Sequence, residues 1–113
     1  MQLKLRVLLA FFVGYLAVAW ECSAHHSFAA FYDSKIVTEL EGELTRVLWN
    51  NPHVRFTVRV KDEKGQERLW EIETHSVSIL GRMGLSSDIM KVGDRLKVAG
   101  NPGRGSKQEL FAH

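Results

Sequence analysis

This 113-residue sequence has no apolar segment of membrane-spanning length, a single cysteine and only a small excess of positive charge. The longest apolar run covers residues 7–20 and has 14 residues, whereas a membrane-spanning helix needs about 20. Lysine and arginine number 15 against 13 aspartates and glutamates. A formal charge of +2 does not by itself indicate a nucleic-acid or membrane partner, so any such argument must rest on local clusters of charge.

The N-terminus has the pattern of a secretory signal. Two basic residues, Lys4 and Arg6, precede the apolar run, and small residues follow it near Ala24. We expect cleavage after Ala24, which makes residues 1–24 a cleavable signal peptide and residues 25–113 a periplasmic or secreted domain. The alternative is an uncleaved membrane anchor, for which the apolar run is short.

Cleavage at this position would remove Cys22, the only cysteine of the chain. The mature chain would then have no thiol for a disulfide, a cysteine-ligated metal or a cysteine nucleophile. Histidine and carboxylate side chains would have to carry any metal or acid–base chemistry. A domain of this size buries a thin core, so it needs a closed or well-covered sheet.

Alternating apolar and polar residues predict strands in the first half of the mature chain. Residues 54–60 and 68–74 both alternate, and residues 62–65 between them have turn chemistry, which predicts a hairpin with Thr57 on its outward face. Residues 36–49 form a longer stretch in which some apolar residues occupy even positions and others odd positions, so the apolar face changes along the stretch. This change predicts a bulge near residues 42–46.

The second half predicts a short helix and two further strands. Ser76 is placed to cap a helix that stops near Gly84, and strands are expected at residues 95–98 and 109–112, on either side of a flexible loop at 101–106. The predicted fold is all-β with one short helix, an OB-like five-stranded small barrel preceded by an N-terminal arm at residues 25–35. The alternative is an open β meander with the helix on one face.

Three histidines form the candidate metal site: His25, His26 and His53. After the expected cleavage His25 is the N-terminal residue and can chelate a metal through its α-amine and its ring, and imidazoles suit copper and zinc. His53 lies at the start of a strand with outward parity, and His75 or Asp33 is placed to add a ligand. The alternative is that these histidines are solvated and bind no ion.

Four basic side chains are predicted on the outward faces of the barrel, but stacking aromatics do not alternate with them. OB-folds bind oligonucleotides or oligosaccharides on the face of strands 2 and 3, and single-strand binders usually combine basic groups with aromatic rings. There is thus no strong case for nucleic acid. A ligand-binding or protein-interaction module on this face is the alternative to a metal site. The four side chains are Arg55, Arg59, Arg95 and Lys97.

No catalytic constellation is recognisable in the sequence. Ser76 and Ser78 lie beside His75, but sequence adjacency is not the geometry of a triad, and the chain has neither a nucleophile elbow nor a glycine-rich phosphate loop. We therefore expect a binding domain that is not an enzyme and that does not contact the membrane after cleavage of the signal.

Four short motifs resemble those of the exported bacterial proteins grouped as domain of unknown function 6152. They are His-His-Ser-Phe-Ala-Ala at 25–30, Asn-Pro-His at 51–53, Trp-Glu-Ile-Glu at 70–73 and Val-Gly-Asp at 92–94. The resemblance covers nearly the whole mature chain and implies export and a small β-rich domain, but no reaction. Relatives tend to run further than His113, so the resemblance leaves open whether the last strand is complete and whether the barrel closes.

Overall fold

The structure, a computed structural model, describes residues 24–105 and 107–113, with side chains from residue 28 onwards. The chain divides into two units between Phe31 and Tyr32. Helix α1 (Ala24–Phe31) is the described part of the first unit. The second unit contains β1 (Thr38–Leu48), β2 (Arg55–Lys61), β3 (Glu67–Glu73), α2 (Val77–Arg82), a 3-10 turn (Ser87–Ile89), β4 (Arg95–Pro102) and β5 (Glu109–Ala112).

The five strands form a closed barrel in the order β1-β2-β3-β5-β4. Neighbouring strands are antiparallel except β3 and β5, which run parallel. The OB-like barrel is therefore confirmed, and the open meander is wrong. Strand β5 is long enough to pair with both β3 and β4, so residues 109–112 suffice to close the barrel.

The core lies inside the barrel and follows from the alternation of the strands. Side chains on one face of a strand recur at every second residue, and each strand contributes one or two to the interior. Polar residues in between face outward, as Arg95 and Lys97 do on β4. The buried core consists of Leu40, Leu44, Phe56, Val58, Ile72, Val98 and Leu110.

The predicted bulge in β1 is confirmed. The pairing of β1 with β2 shifts register between Leu44 and Arg46. At the bulge, the Leu44 amide donates to the Asp94 carbonyl over 2.8 Å, and the Gly93 amide donates to the Leu44 carbonyl over 2.8 Å. Bulges bend the strand that carries them, and here the bend lets β1 pair with β2 on one side and β4 on the other.

The barrel carries its predicted short helix, α2, between β3 and β4. The Ser76 hydroxyl accepts from the Ile79 amide over 3.4 Å and caps the helix, and Gly84 follows it with a φ of 82°. Helix α1 lies where the sequence indicates an arm and was not predicted. Among the described residues, none of the helices is both long enough and apolar enough to cross a bilayer.

Two polar residues are more buried than the sequence indicates. Thr57, expected on the outward face, is 5% exposed, and its hydroxyl donates to Glu71 over 2.9 Å. Asn101, expected in a flexible loop, belongs to β4 and is also 5% exposed; its side-chain amide donates to the Ile36 carbonyl over 2.7 Å. Each side chain has a hydrogen-bond partner, which offsets the cost of its burial.

Candidate functional site

The hairpin of β2 and β3 places His53 beside Glu73. His53 follows the cis Asn51–Pro52 peptide, and Arg55 at the start of β2 lies opposite Glu73 at the end of β3. Because His53 precedes Arg55 by two residues, it lies on the same face and diagonal to Glu73. The Val54 amide donates to the His75 carbonyl over 3.0 Å, which continues the pairing beyond the ends of both strands.

The Glu73 carboxylate holds two partners, one on each oxygen. Its Oε1 contacts the Nδ1 of His53, and its Oε2 accepts from the Tyr32 hydroxyl over 2.8 Å. The Arg55 guanidinium lies 3.8 Å from Oε1. The side chain of Glu73 is 21% exposed and that of His53 is 43% exposed, so the carboxylate is largely shielded while the imidazole reaches solvent. We call Tyr32, His53 and Glu73 the His53 site.

The charges of the His53 site follow from burial and hydrogen bonding. Burial works to raise the pKa of the Glu73 carboxyl, but hydrogen bonds from His53 and Tyr32, with the charge of Arg55, bring that pKa below its ordinary value of 4.5. Burial first, and then the hydrogen bond to Glu73, raises the pKa of the Tyr32 phenol far above 10.0. At neutral pH Glu73 is therefore an ionised acceptor and Tyr32 a neutral donor.

The buried ring of Phe111 is surrounded by the rings of several site residues. Its centroid lies 5.5 Å from that of Tyr32 and 6.2 Å from that of His53, both in edge-on geometry. His75 and His113 pack on the same ring, with centroids at 5.5 Å and 5.2 Å. Edge-on aromatic packing restricts the orientation of each ring. Phe111 thus supports the His53 site and contacts three histidine rings, two of which, His75 and His113, also pack on each other with centroids 5.9 Å apart.

The candidate metal ligands are placed differently from one another. His53 belongs to the His53 site, whereas the backbones of His25 and His26 lie in α1 and their side chains are outside the described residues. Asp33 accepts from the Lys35 amide over 3.0 Å in a local turn, and His75 packs on Phe111. Within the part of the chain whose side chains are described, no three histidine or carboxylate side chains gather closely enough to hold a metal ion.

Glu73 and Tyr32 are the site residues that the sequence interpretation does not identify. Glu73 is indicated only as a polar residue on the outward face of a strand. The register of the hairpin is the missing signal, because pairing Lys61 with Glu67 across the turn brings Glu73 opposite Arg55 and next to His53. For Tyr32 the sequence has no comparable signal, since its approach to Glu73 joins residues 41 positions apart.

We expect the stabilising effect of Glu73 to depend on pH. Its pKa is depressed in the folded state, so the stabilisation is complete above about pH 4.5 and is lost as the pH falls through the folded value. Glu73→Gln should lower the free energy of unfolding by about 1–3 kcal/mol at neutral pH, because hydrogen bonds to a charged group are lost. Urea unfolding of the wild type and of Glu73→Gln, at neutral pH and near pH 3, measures the difference in their free energies of unfolding. This difference should be smaller near pH 3. An unchanged difference at both pH values would contradict this prediction.

Comparison with known proteins identifies a family and a fold. The model of a family of unknown function, DUF6152, matches residues 14–111. Among solved structures, the crystal structure of the mitochondrial single-stranded DNA-binding protein Rim1 of S. cerevisiae is similar, with a TM-score of 0.51 and 9% sequence identity over 69% of this chain and 87% of that one. At this identity the similarity concerns the fold. None of the curated proteins compared with the chain gives a significant match.

Proposed function

The chain belongs to the family of unknown function DUF6152, and we propose that it is an exported, non-enzymatic domain that binds a transition-metal ion, copper or zinc. In this proposal His53 is the ligand from the barrel, and His25 and His26 supply the others. The domain acts in the periplasm or outside the cell, after removal of residues 1–24.

The contact between His53 and Glu73 is the observation that carries the proposal. Histidines that bind metals almost always donate their second ring nitrogen to a carboxylate, a carbonyl or water, which orients the ring and raises its basicity. In the His53 site Nδ1 has such a carboxylate partner. The imidazole is also 43% exposed, and Nε2 is the ring nitrogen that Glu73 does not contact, so in this proposal Nε2 binds the ion.

The barrel alone supplies too few ligands for a stable site, because transition-metal sites commonly use three or four. In this proposal the further ligands come from the histidine pair, His25 and His26. The α-amine of His25 would add a nitrogen ligand once the signal is removed.

Export rests on the sequence of the N-terminus. The basic residues at positions 4 and 6, the apolar run at 7–20 and the small residues before His25 have the order of a secretory signal. Intact-mass measurement and N-terminal sequencing of the protein recovered from a bacterial periplasm test this part of the proposal. The expected mature N-terminus is His25.

A ligand or protein partner on the face of β2 and β3 is the less favoured function. The similar yeast protein binds single-stranded DNA, and OB-folds use this face for such ligands. In this chain each of the four outward basic side chains lies near a glutamate, which offsets its attraction for phosphate. The pairs are Arg55–Glu73 at 3.8 Å, Arg59–Glu67 at 3.6 Å, Arg95–Glu41 at 3.0 Å and Lys97–Glu39 at 2.7 Å.

Calorimetric titration of the processed protein with copper(II) and zinc(II) tests the metal site. We expect one ion per chain at micromolar affinity or tighter. His53→Ala and His25→Ala should each weaken binding at least about tenfold, since each removes a ligand. One extra residue before His25 should also weaken binding, because the α-amine moves away from the ring.

His75→Ala is the matched control for this titration, because His75, an alternative ligand in the sequence interpretation, is not a ligand in the proposed site. His75 packs on the same Phe111 ring as His53. The contacts that define the His53 site are those of Glu73 with His53 and Tyr32, and His75 takes part in neither. Its removal should leave metal affinity unchanged. Tight binding that survives both His25→Ala and His53→Ala would reject the proposed ligands, and absence of binding by the processed wild-type protein would reject the function.

A further inference from the structure

We infer that Glu73, together with Tyr32, is a positioning residue that fixes the tautomer of His53 and thereby presents Nε2 as the metal-binding atom. This inference rests on the proposed function and deepens it. It assigns roles to two residues that do not themselves touch the ion.

The tautomer follows from the chemistry of the contact. An ionised carboxylate has no hydrogen to donate and can only accept. Because Nδ1 of His53 lies against Oε1 of Glu73, that nitrogen must carry the hydrogen. In the neutral ring the lone pair is then on Nε2, the nitrogen on the opposite side from Glu73. A free imidazole side chain prefers the other tautomer, with hydrogen on Nε2, so the contact with Glu73 reverses the intrinsic preference.

Tyr32 completes the arrangement by holding the second oxygen of Glu73. The backbone of Tyr32 is anchored independently, since it forms a bridge with Gly103 and the next amide, of Asp33, donates to the Pro102 carbonyl over 2.9 Å. Its ring packs edge-on against Phe111. Hydrogen bonds at both oxygens restrict rotation of the carboxylate about its terminal bond, and this restricts the direction in which it accepts from His53.

The position of Glu73 in the barrel strengthens this constraint. Glu73 lies between Ile72, which is 1% exposed, and Thr74, which is 6% exposed, so its backbone cannot shift without disturbing the core. Strand β3 therefore fixes the position of the Glu73 carboxylate. The carboxylate in turn fixes the orientation of the His53 imidazole and with it the direction of Nε2. Preorganised ligands lose less freedom when they bind, which is why such supporting residues raise metal affinity.

Nitrogen-15 NMR of the histidine rings in the metal-free protein tests the tautomer directly. Spectra are recorded on the full processed chain near about pH 8.5, at which imidazoles are ordinarily neutral. The His53 resonances are identified by their absence in His53→Ala. We expect hydrogen on Nδ1 in the wild type and a shift toward the Nε2–H form in Glu73→Ala. A purely structural role for Glu73 would not move this signal.

Metal titration of the same variants tests the consequence for binding. Glu73→Ala should weaken copper(II) and zinc(II) binding by about 10–100-fold, the range seen when such supporting residues are removed. Tyr32→Phe removes one hydrogen bond and should weaken binding by a smaller factor. Glu67→Ala is the matched control: Glu67 also lies on β3, but its carboxylate pairs with Arg59 and Lys61 at 3.6 Å. Its removal should change neither the His53 tautomer nor the affinity.

The outcomes separate this inference from the function on which it rests. If the wild type binds metal and Glu73→Ala binds as tightly, the positioning role is overturned and the proposed function stands. Hydrogen on Nε2 of His53 in the wild type would overturn the inference without the use of any variant. If the wild type binds neither metal, the proposed function fails. The role of Glu73 in metal binding then fails with it, whichever tautomer His53 adopts.

Discussion

Replacement of Gly100 by alanine is expected to lower the free energy of unfolding by about 3 kcal/mol or more, a large part of the stability of a small domain. A Cβ at Gly100 would lie 2.1 Å from the carbonyl oxygen of Phe111 and 2.7 Å from its carbonyl carbon. Both atoms belong to the backbone of β5, which cannot move aside without loss of its pairing with β4. Chemical denaturation monitored by tryptophan fluorescence measures the change.

Gly42 in β1 makes the same kind of close approach to β2. A Cβ there would lie 2.2 Å from the carbonyl oxygen of Arg59 and 2.9 Å from a methyl group of Val58. Glycine within a strand often marks a site where another backbone approaches closely. Gly42→Ala is therefore expected to be as destabilising as Gly100→Ala, because each glycine lies where neighbouring strands of the closed barrel come into contact.

Gly81→Ala is the matched control for both substitutions. Gly81 lies in helix α2, and a Cβ added there meets nothing within 4 Å. Alanine is a better helix former than glycine, so this variant should be as stable as the wild type or more stable by about 0.5–1 kcal/mol. Wild-type stability in Gly100→Ala would show that the barrel can relax around the added carbon, contrary to the prediction.

Replacement of Leu44 by alanine is the second substitution with a large expected effect. The Leu44 side chain is 0% exposed and lies in the barrel core, and its backbone joins β1 to the turn before β4 at the bulge. Removing its methyl groups loses apolar burial and leaves a cavity that the rigid barrel cannot fill. We expect a loss of about 3–4 kcal/mol in the free energy of unfolding, measured by urea denaturation.

Leu69→Ala provides the comparison for Leu44→Ala. Leu69 is 54% exposed on β3, so the same chemical change removes little buried surface. Its effect should be below about 1 kcal/mol. Equal losses in the two variants would mean that the core does not lie where the structure places it.

Much of the barrel could be predicted because its signals are local. The hairpin follows from two alternating stretches and one turn, the bulge follows from the change of phase along β1, and the helix follows from Ser76 and Gly84. Each signal lies within about twenty consecutive residues. The parallel pairing of β3 with β5 and the burial of Thr57 and Asn101 depend on contacts between distant segments, which no local pattern reports.

The candidate site could be predicted only in part, for the same reason. His53 stands out in the sequence because it follows Asn51-Pro52 and begins a strand with outward parity. Its partner Glu73 is 20 residues away, and Tyr32 is 41 residues from Glu73. Knowing that a strand carries an outward glutamate does not show which histidine it meets. The register of the hairpin settles that pairing, and register depends on the length of the turn.

The place of β5 in the closed barrel also bears on when the chain can fold. Residues 109–112 form the strand that joins β3 to β4. During synthesis, β3 and β4 have no partner between them until these residues have been made. Pairings between distant segments also form slowly. The barrel therefore cannot close until nearly all of its sequence has emerged from the ribosome. Such a delay would suit the proposed export, because an open polypeptide is the form that can be threaded through a narrow translocation channel.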